Sequence, residues 1–207
     1  DPEGLSDVFS DLFGRRQRSG GGAYQEFHAR GPDIRYQLEV DFMEAALGAK
    51  RSVTMPDGKG ITISIPAGVN NGQTLRLRGK GAPGYGDGPA GDALVKVSVA
   101  THPVFTRDDE NIEMELPITF DEAVLGAKVD VPTISGPVSM RIPPGASSGQ
   151  RLRLKGKGVK RGKTRGDQTV RLRIVIPKEI TDEMRAMAEN WRDASKFDPR
   201  AELGRTS

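Results

Sequence analysis

Apolar and polar residues alternate strictly through Ile34, Tyr36, Leu38, Val40 and Phe42, with Arg35, Gln37, Glu39 and Asp41 between them. The same beat returns at Ile112, Met114, Leu116, Ile118 and Phe120. A period of two predicts strands with one buried and one wet face. Shorter runs predict further strands near residues 50–55, 60–65, 74–78 and 92–100, and again near 128–133, 137–142, 151–155 and 168–176. Gly and Pro punctuate between them. Two Glu-Ala-x-Leu-Gly segments are too short for more than one or two helical turns, and their Gly suits a C-terminal cap. Near the C-terminus the period changes. Thr181-Asp-Glu-Met opens a capped helix, with Met184, Met187, Ala188 and Trp191 at helical spacing. No second helix is available to cover that stripe, which predicts packing on a partner chain ahead of packing on the sheet.

The chain is an internal duplication. Phe42-Met-Glu-Ala-Ala-Leu-Gly-Ala-Lys50 reappears as Phe120-Asp-Glu-Ala-Val-Leu-Gly-Ala-Lys128. Ile65-Pro-Ala-Gly68 reappears as Ile142-Pro-Pro-Gly145, and Gly72-Gln-Thr-Leu-Arg-Leu as Gly149-Gln-Arg-Leu-Arg-Leu. Gly91-Asp92 returns as Gly166-Asp167. The reading is a mainly β chain of two tandem, small β-sandwich-like domains, residues 31–105 and 106–178, followed by a C-terminal helix and tail over 179–207. Residues 1–30, with Gly20-Gly21-Gly22 and Arg15-Arg16-Gln-Arg18, read as a mostly mobile linker. Leu5, Val8, Phe9, Leu12 and Phe13 within it could share one helical face.

Composition narrows the chemistry. The 207 residues include 26 Gly and 14 Pro, no Cys and only 2 His, which excludes disulfides, thiolate zinc sites and Cys nucleophiles. No run reaches the roughly 18 apolar residues of a membrane span. A start at Asp1 reads as a fragment of a longer chain. Net charge is +3, but Arg141–Arg173 holds 11 basic residues and one acid, Asp167. Such a segment is first of all a solvated surface, and second a candidate polyanion site.

No catalytic constellation emerges. His102, before Pro103, reads as a turn or packing residue. Asp92 and Asp167 read as capping or turn residues at the start of strands. The Gly79–Gly88 stretch lacks phosphate-loop spacing and reads as a hairpin loop. No metal or other cofactor is expected. What remains is binding: an open sheet edge beside an apolar strip can take an extended peptide as an added strand.

These residues resemble a known family. The doubled Glu-Ala-x-Leu-Gly-Ala-Lys, the Ile-Pro-x-Gly with its following Gly-Gln-x-Leu-Arg-Leu, and the junction His102-Pro-Val-Phe105-x-Arg107-Asp are similar to the C-terminal region of DnaJ-type J-domain chaperones. The resemblance covers roughly residues 31–190. Val-Phe-Ser-Asp-Leu-Phe-Gly, near the start, is similar to the end of the family's Gly/Phe-rich linker. The J domain with its His-Pro-Asp motif is absent from the sequence. Pro56-Asp-Gly-Lys-Gly60 makes a tight turn where class A members carry a zinc-binding insertion, so the chain resembles class B. Phe197-Asp-Pro-Arg200 is similar to the tail of a DNA-binding bacterial member of that class.

The resemblance implies a non-enzymatic, cytoplasmic co-chaperone. It would act as a homodimer meeting at the C-terminal helix through Met184, Met187 and Trp191. Its partners would be unfolded polypeptide clients and a DnaK-type ATPase. The family's peptide groove maps onto Tyr36, Leu38, Val53, Met55 and Val95, with Arg51 as a basic rim residue that can engage an acidic tail of the ATPase. The equivalent positions in the second copy, Met114, Leu116, Val131, Thr133 and Val170, imply a weaker secondary groove. DNA is the alternative partner, held without sequence preference by Arg151, Arg153, Lys155, Lys157, Lys160, Arg161, Lys163 and Arg165. A nucleoid association would follow from that. A purely structural scaffold dimer is the third reading.

Overall fold

A computed structural model describes residues 28–55, 58, 60–201 and 203. The linker stripe from Leu5 to Phe13, and Pro56, Asp57 and Lys59 of the expected tight turn, lie outside the described residues. The chain divides into two compact units: Gln73–Val97 with the described part of Asp1–Leu38, and Glu39–Gly72 with Ser98–Ser207.

The first unit is built on a three-stranded sheet. Strands β1 (Ile34–Val40), β4 (Thr74–Leu77) and β5 (Ala93–Val99) lie in the order β1-β5-β4, the last two residues of β1 and of β5 counting with the second unit. β4 and β5 run antiparallel, with Leu75 opposite Val95 and Leu77 opposite Ala93. β1 and β5 run in the same direction. The Ile34 N–H donates to the Asp92 carbonyl at one end (2.9 Å), and the Ala100 N–H donates to the Val40 carbonyl at the other (2.9 Å). Ala93, Val95 and Val97 are buried, as alternation requires of a central strand.

The second unit repeats this plan and adds to it. β7 (Asn111–Ile118) and β13 (Gln168–Ile174) pair in parallel, with Met114 opposite Val170 and Leu116 opposite Leu172. β10 (Arg151–Leu154) and β6 (Phe105–Asp108) flank them, giving the order β10-β13-β7-β6. Two ribbons, β2 (Ala49–Thr54) with β3 (Gly60–Ile65) and β8 (Ala127–Val131) with β9 (Val138–Ile142), correspond across the duplication. So do the short helices α1 (Phe42–Leu47) and α2 (Phe120–Leu125). The core of this unit gathers Phe42, Phe105, Ile112, Ile118, Met140, Ile142 and Leu172.

Local chemistry explains why the helices are short. Asp41 and Thr119 stand at their N-termini, where the backbone N–H of each donates to the side chain of the residue three further on, Glu44 (3.0 Å) and Glu122 (2.9 Å). Gly48 (φ 80°) and Gly126 (φ 76°) end them. A Cβ at Gly48 would lie 2.9 Å from the Ala67 backbone N, and one at Gly126 2.9 Å from the Ile142 carbonyl oxygen. Only glycine fits that combination of left-handed backbone and close approach.

Predicted strands appear within a residue or two of expectation. Two elements were not anticipated. β6 occupies the junction read as a turn, and β11 (Lys160–Arg161) with β12 (Thr164–Arg165) forms a hairpin in the basic segment. His102 does act as a turn residue: its Nδ1 accepts the Val104 and Phe105 N–H groups (both 3.1 Å), and its ring stacks on Phe105 at 4.9 Å.

The third helix, α3 (Asp182–Ala194), is capped by Thr181, whose Oγ1 accepts the Met184 N–H (3.3 Å). Its apolar stripe is not buried within the chain. Met184, Met187 and Trp191 stay exposed, and Trp191 meets Phe120 only edge-on, with ring centroids 5.2 Å apart.

Truncating a sealed core side chain should separate cleanly from truncating an exposed one. Leu172→Ala should lower unfolding free energy by about 2–5 kcal/mol in urea titrations. Ile176→Ala, at an exposed position, should change it by less than about 0.5 kcal/mol.

Candidate peptide-binding and basic surfaces

The duplication supplies an internal control for the groove. Along β7 the inward-phase side chains Ile112, Met114, Leu116 and Ile118 are all buried. Along β1 the equivalent Ile34, Tyr36 and Leu38 are only half-buried, and burial is complete only at Val40. β2 repeats the contrast: Val53 is half-buried, while its counterpart Val131 on β8 is sealed. The first copy thus leaves apolar strand surface open to solvent at positions where the second copy closes it.

Two of the first-copy assignments need correction. Val95 is 1% exposed and belongs to the core, because it lies on the inward phase of the central strand β5. Met55, at the end of β2, is also buried. The residue that opens on the first unit's sheet is Leu94. It lines a cleft of about 450 Å³ with Arg35, Tyr36, Gln37, Thr74 and Lys96. The signal was in the sequence: Leu94 is an apolar side chain in the polar phase of Ala93–Val99, where Lys96 and Ser98 follow it. The proposed positions fall in both units, with Tyr36 and Leu38 in the first and Arg51 and Val53 in the second.

All five secondary-groove residues, Met114, Leu116, Val131, Thr133 and Val170, are buried. They form no accessible furrow; the first two and the two valines are part of the second unit's core. Thr133 is polar because it organises a turn. Its Oγ1 donates to the Gly136 carbonyl (2.5 Å) and accepts the Ser135 N–H (3.2 Å).

Arg51 is already engaged. Its Nε and one terminal nitrogen donate to the two Glu44 carboxylate oxygens, both at 2.9 Å, and Asp41 lies 3.9 Å away. This fork-on-fork pairing is the strong geometry for arginine and carboxylate. Hydrogen bonds from Arg51, then from the Asp41 backbone, hold Glu44 below its ordinary pKa, and Glu44 raises that of Arg51.

The repeated Gly-Asp pair is a latch between neighbouring strands. Asp92 accepts the Gly79 N–H (2.8 Å) and the Arg76 Nε–H (2.6 Å), and Arg30 lies 2.9 Å away. In the second copy Asp167 accepts the Gly156 N–H (2.6 Å) and the Arg153 Nε–H (2.5 Å). In each case the backbone bond is the main reason the carboxyl sits below its ordinary pKa, with the arginine reinforcing it.

The basic segment divides into paired and unpaired cations. Arg151 is bonded to Glu113, Arg153 to Asp167, and Arg161 lies 3.4 Å from Asp109. Lys155, Lys157, Lys160, Lys163 and Arg165 make no ion pair among the described residues. Lys160, Lys163 and Arg165 project around the β11–β12 hairpin, whose turn uses Gly162 at φ 61°.

The chain thus joins a doubled β module, its first copy the more open, to a terminal helix. The chain belongs to the DnaJ C-terminal domain family, whose pattern, described as "DnaJ C terminal domain", matches residues 34–177. Its relatives include the "Curved DNA-binding protein" of Coxiella burnetii, 39% identical over 97% of this chain and 68% of the relative. The protein of the same name from Escherichia coli O157:H7 is 37% identical over 98% of this chain and 70% of the relative. That from Shigella dysenteriae serotype 1 shares the same figures. No helix among the described residues is long and apolar enough to cross a membrane.

A carboxyl held below its ordinary value of 3.8 stabilises the fold at pH above that value, and the contribution is lost as pH falls through the lower folded-state value. Thermal melts of the Asp92→Asn variant should therefore show a lower Tm than wild type at pH 7. The difference should shrink below about pH 3.8 as the wild-type carboxyl takes up its proton.

Proposed function

We propose that the chain is the client-binding part of a co-chaperone: it holds extended apolar segments of unfolded polypeptides and passes them to a DnaK-type ATPase, acting as a dimer. The observation that carries this reading is the contrast between copies. Tyr36, Leu38 and Val53 stay half-open where Met114, Leu116 and Val131 are sealed. Open apolar strand surface is a liability unless something uses it. An extended client can use it, giving backbone hydrogen bonds to a strand edge and apolar side chains to the surface beside it.

In this reading the chain performs no bond chemistry of its own. The exposed stripe of α3 is the dimer contact, supplied by Met184, Met187 and Trp191. Arg51 reaches an acidic tail of the ATPase only by displacing Glu44.

Leu38→Ser combined with Val53→Ser should weaken binding of a denatured client at least tenfold and abolish suppression of its aggregation, with the melting transition kept. Unchanged client binding in a folded double variant rules out both positions. Light scattering should give a dimer mass for the wild-type chain and a monomer mass for Met187→Glu with Trp191→Glu.

A second reading, sequence-indifferent DNA binding, is favoured by the unpaired lysines of 155–163 and by the name that the relatives carry. Lys160→Glu with Lys163→Glu should then reduce the slope of log affinity against log salt by about 2. Affinity that does not respond to salt excludes it.

A further inference from the structure

The second unit holds a cleft that neither reading uses. Its volume is about 350 Å³, at the small end of the range typical of ligand pockets. Phe42 and Ala45 of α1 and Val99 at the end of β5 give it an apolar side. Asn71, His102 and Arg107 give it a polar one.

Each polar residue is fixed in orientation by bonds that leave a donor over. Arg107 donates through Nε to the Asp109 carbonyl (2.6 Å) and through one terminal nitrogen to the Val69 carbonyl (2.7 Å). The other terminal nitrogen donates to the Gly68 carbonyl (2.8 Å) and Asn70 Oδ1 (2.9 Å). Those bonds occupy four of the five guanidinium N–H groups. The Asn71 Oδ1 accepts the Val99 N–H (3.0 Å), which fixes the amide and leaves its NH2 group as a donor. His102 Nδ1 accepts two backbone N–H groups, so the neutral ring carries its proton on Nε2.

The charge points the same way. All four acceptors on Arg107 are neutral, and no described carboxylate lies within ion-pair distance of it. Burial, then the nearby Arg161 cation, pulls its pKa below the ordinary value, against a smaller opposing pull from Asp109 and Glu110. Asp109 also lines the cleft, but its carboxylate has a cation of its own in Arg161, 3.4 Å away. Three residues with a donor left over, one of them a cation whose hydrogen-bond acceptors are all neutral, beside an apolar wall suit a single anionic acceptor carried on an apolar body.

We propose that this cleft binds an apolar carboxylate, namely the free carboxy-terminus of a peptide ending in an aliphatic residue. The terminal carboxylate takes the donors of Asn71, His102 and Arg107, and the last side chain rests against Phe42, Ala45 and Val99. This site is independent of the open strand surface on β1 and β2.

The probe is a fluorescent pentapeptide ending in Ala-Leu, as the free acid and as the carboxamide, titrated by anisotropy against the full chain. The acid should bind at least tenfold more tightly than the amide. Asn71→Asp keeps the acceptor for Val99 but replaces the NH2 donor with negative charge, and it should remove that preference. Thr101→Glu, at an exposed position lining the same cleft, should do so without touching any bond named above. Leu38→Ser should leave it intact, which separates this site from the client surface. Equal binding of acid and amide overturns the proposal, as does an acid preference that survives in both Asn71→Asp and Thr101→Glu.

Discussion

Two parallel strands lying side by side govern each copy of the module. Antiparallel neighbours can be joined by a tight turn, whereas parallel neighbours need a long crossover. Between β7 and β13 that crossover carries α2, the β8–β9 ribbon, β10 and the β11–β12 hairpin. Between β1 and β5 it carries α1, the β2–β3 ribbon and β4. The supporting elements of the fold are thus the contents of two obligatory return paths. The Gly-Asp latches stand where each path ends, tying β4 to β5 in the first copy and β10 to β13 in the second.

Duplication fixed the architecture and left the surface free to diverge. Both central strands show the same order of buried and open positions, β5 matching β13 residue for residue. Divergence is confined to the neighbours. The inward phase of β7 is sealed while that of β1 is not, and Arg51, bonded to Glu44, stands where the second copy has Val129. The second copy has its inward strand face sealed, and the first keeps a wet apolar margin.

Much of the fold was legible because period-two alternation and repeated Gly and Pro positions set strand phase locally. The sites were less so. Alternation told Val95 from Lys96 but could not tell a sealed apolar face from a half-open one, since that depends on what covers the strand. Met114 and Tyr36 occupy equivalent places in sequence and differ in burial for that reason. β6 escaped notice because four residues after His-Pro carry too short a pattern, and the β11–β12 hairpin because two-residue strands carry none. The donors of the Arg107 cleft come from two separate stretches of chain, at Asn71 and at His102–Arg107, a convergence invisible to any local reading.

The edge contact between Trp191 and Phe120 has an optical consequence. Trp191 is the only tryptophan in the 207 residues, and it stands half in water on a helix of thirteen residues, a length at which helices are marginal on their own in water. The chain therefore carries one intrinsic fluorophore on an exposed helix, so its emission colour reads out the state of that helix with no added label.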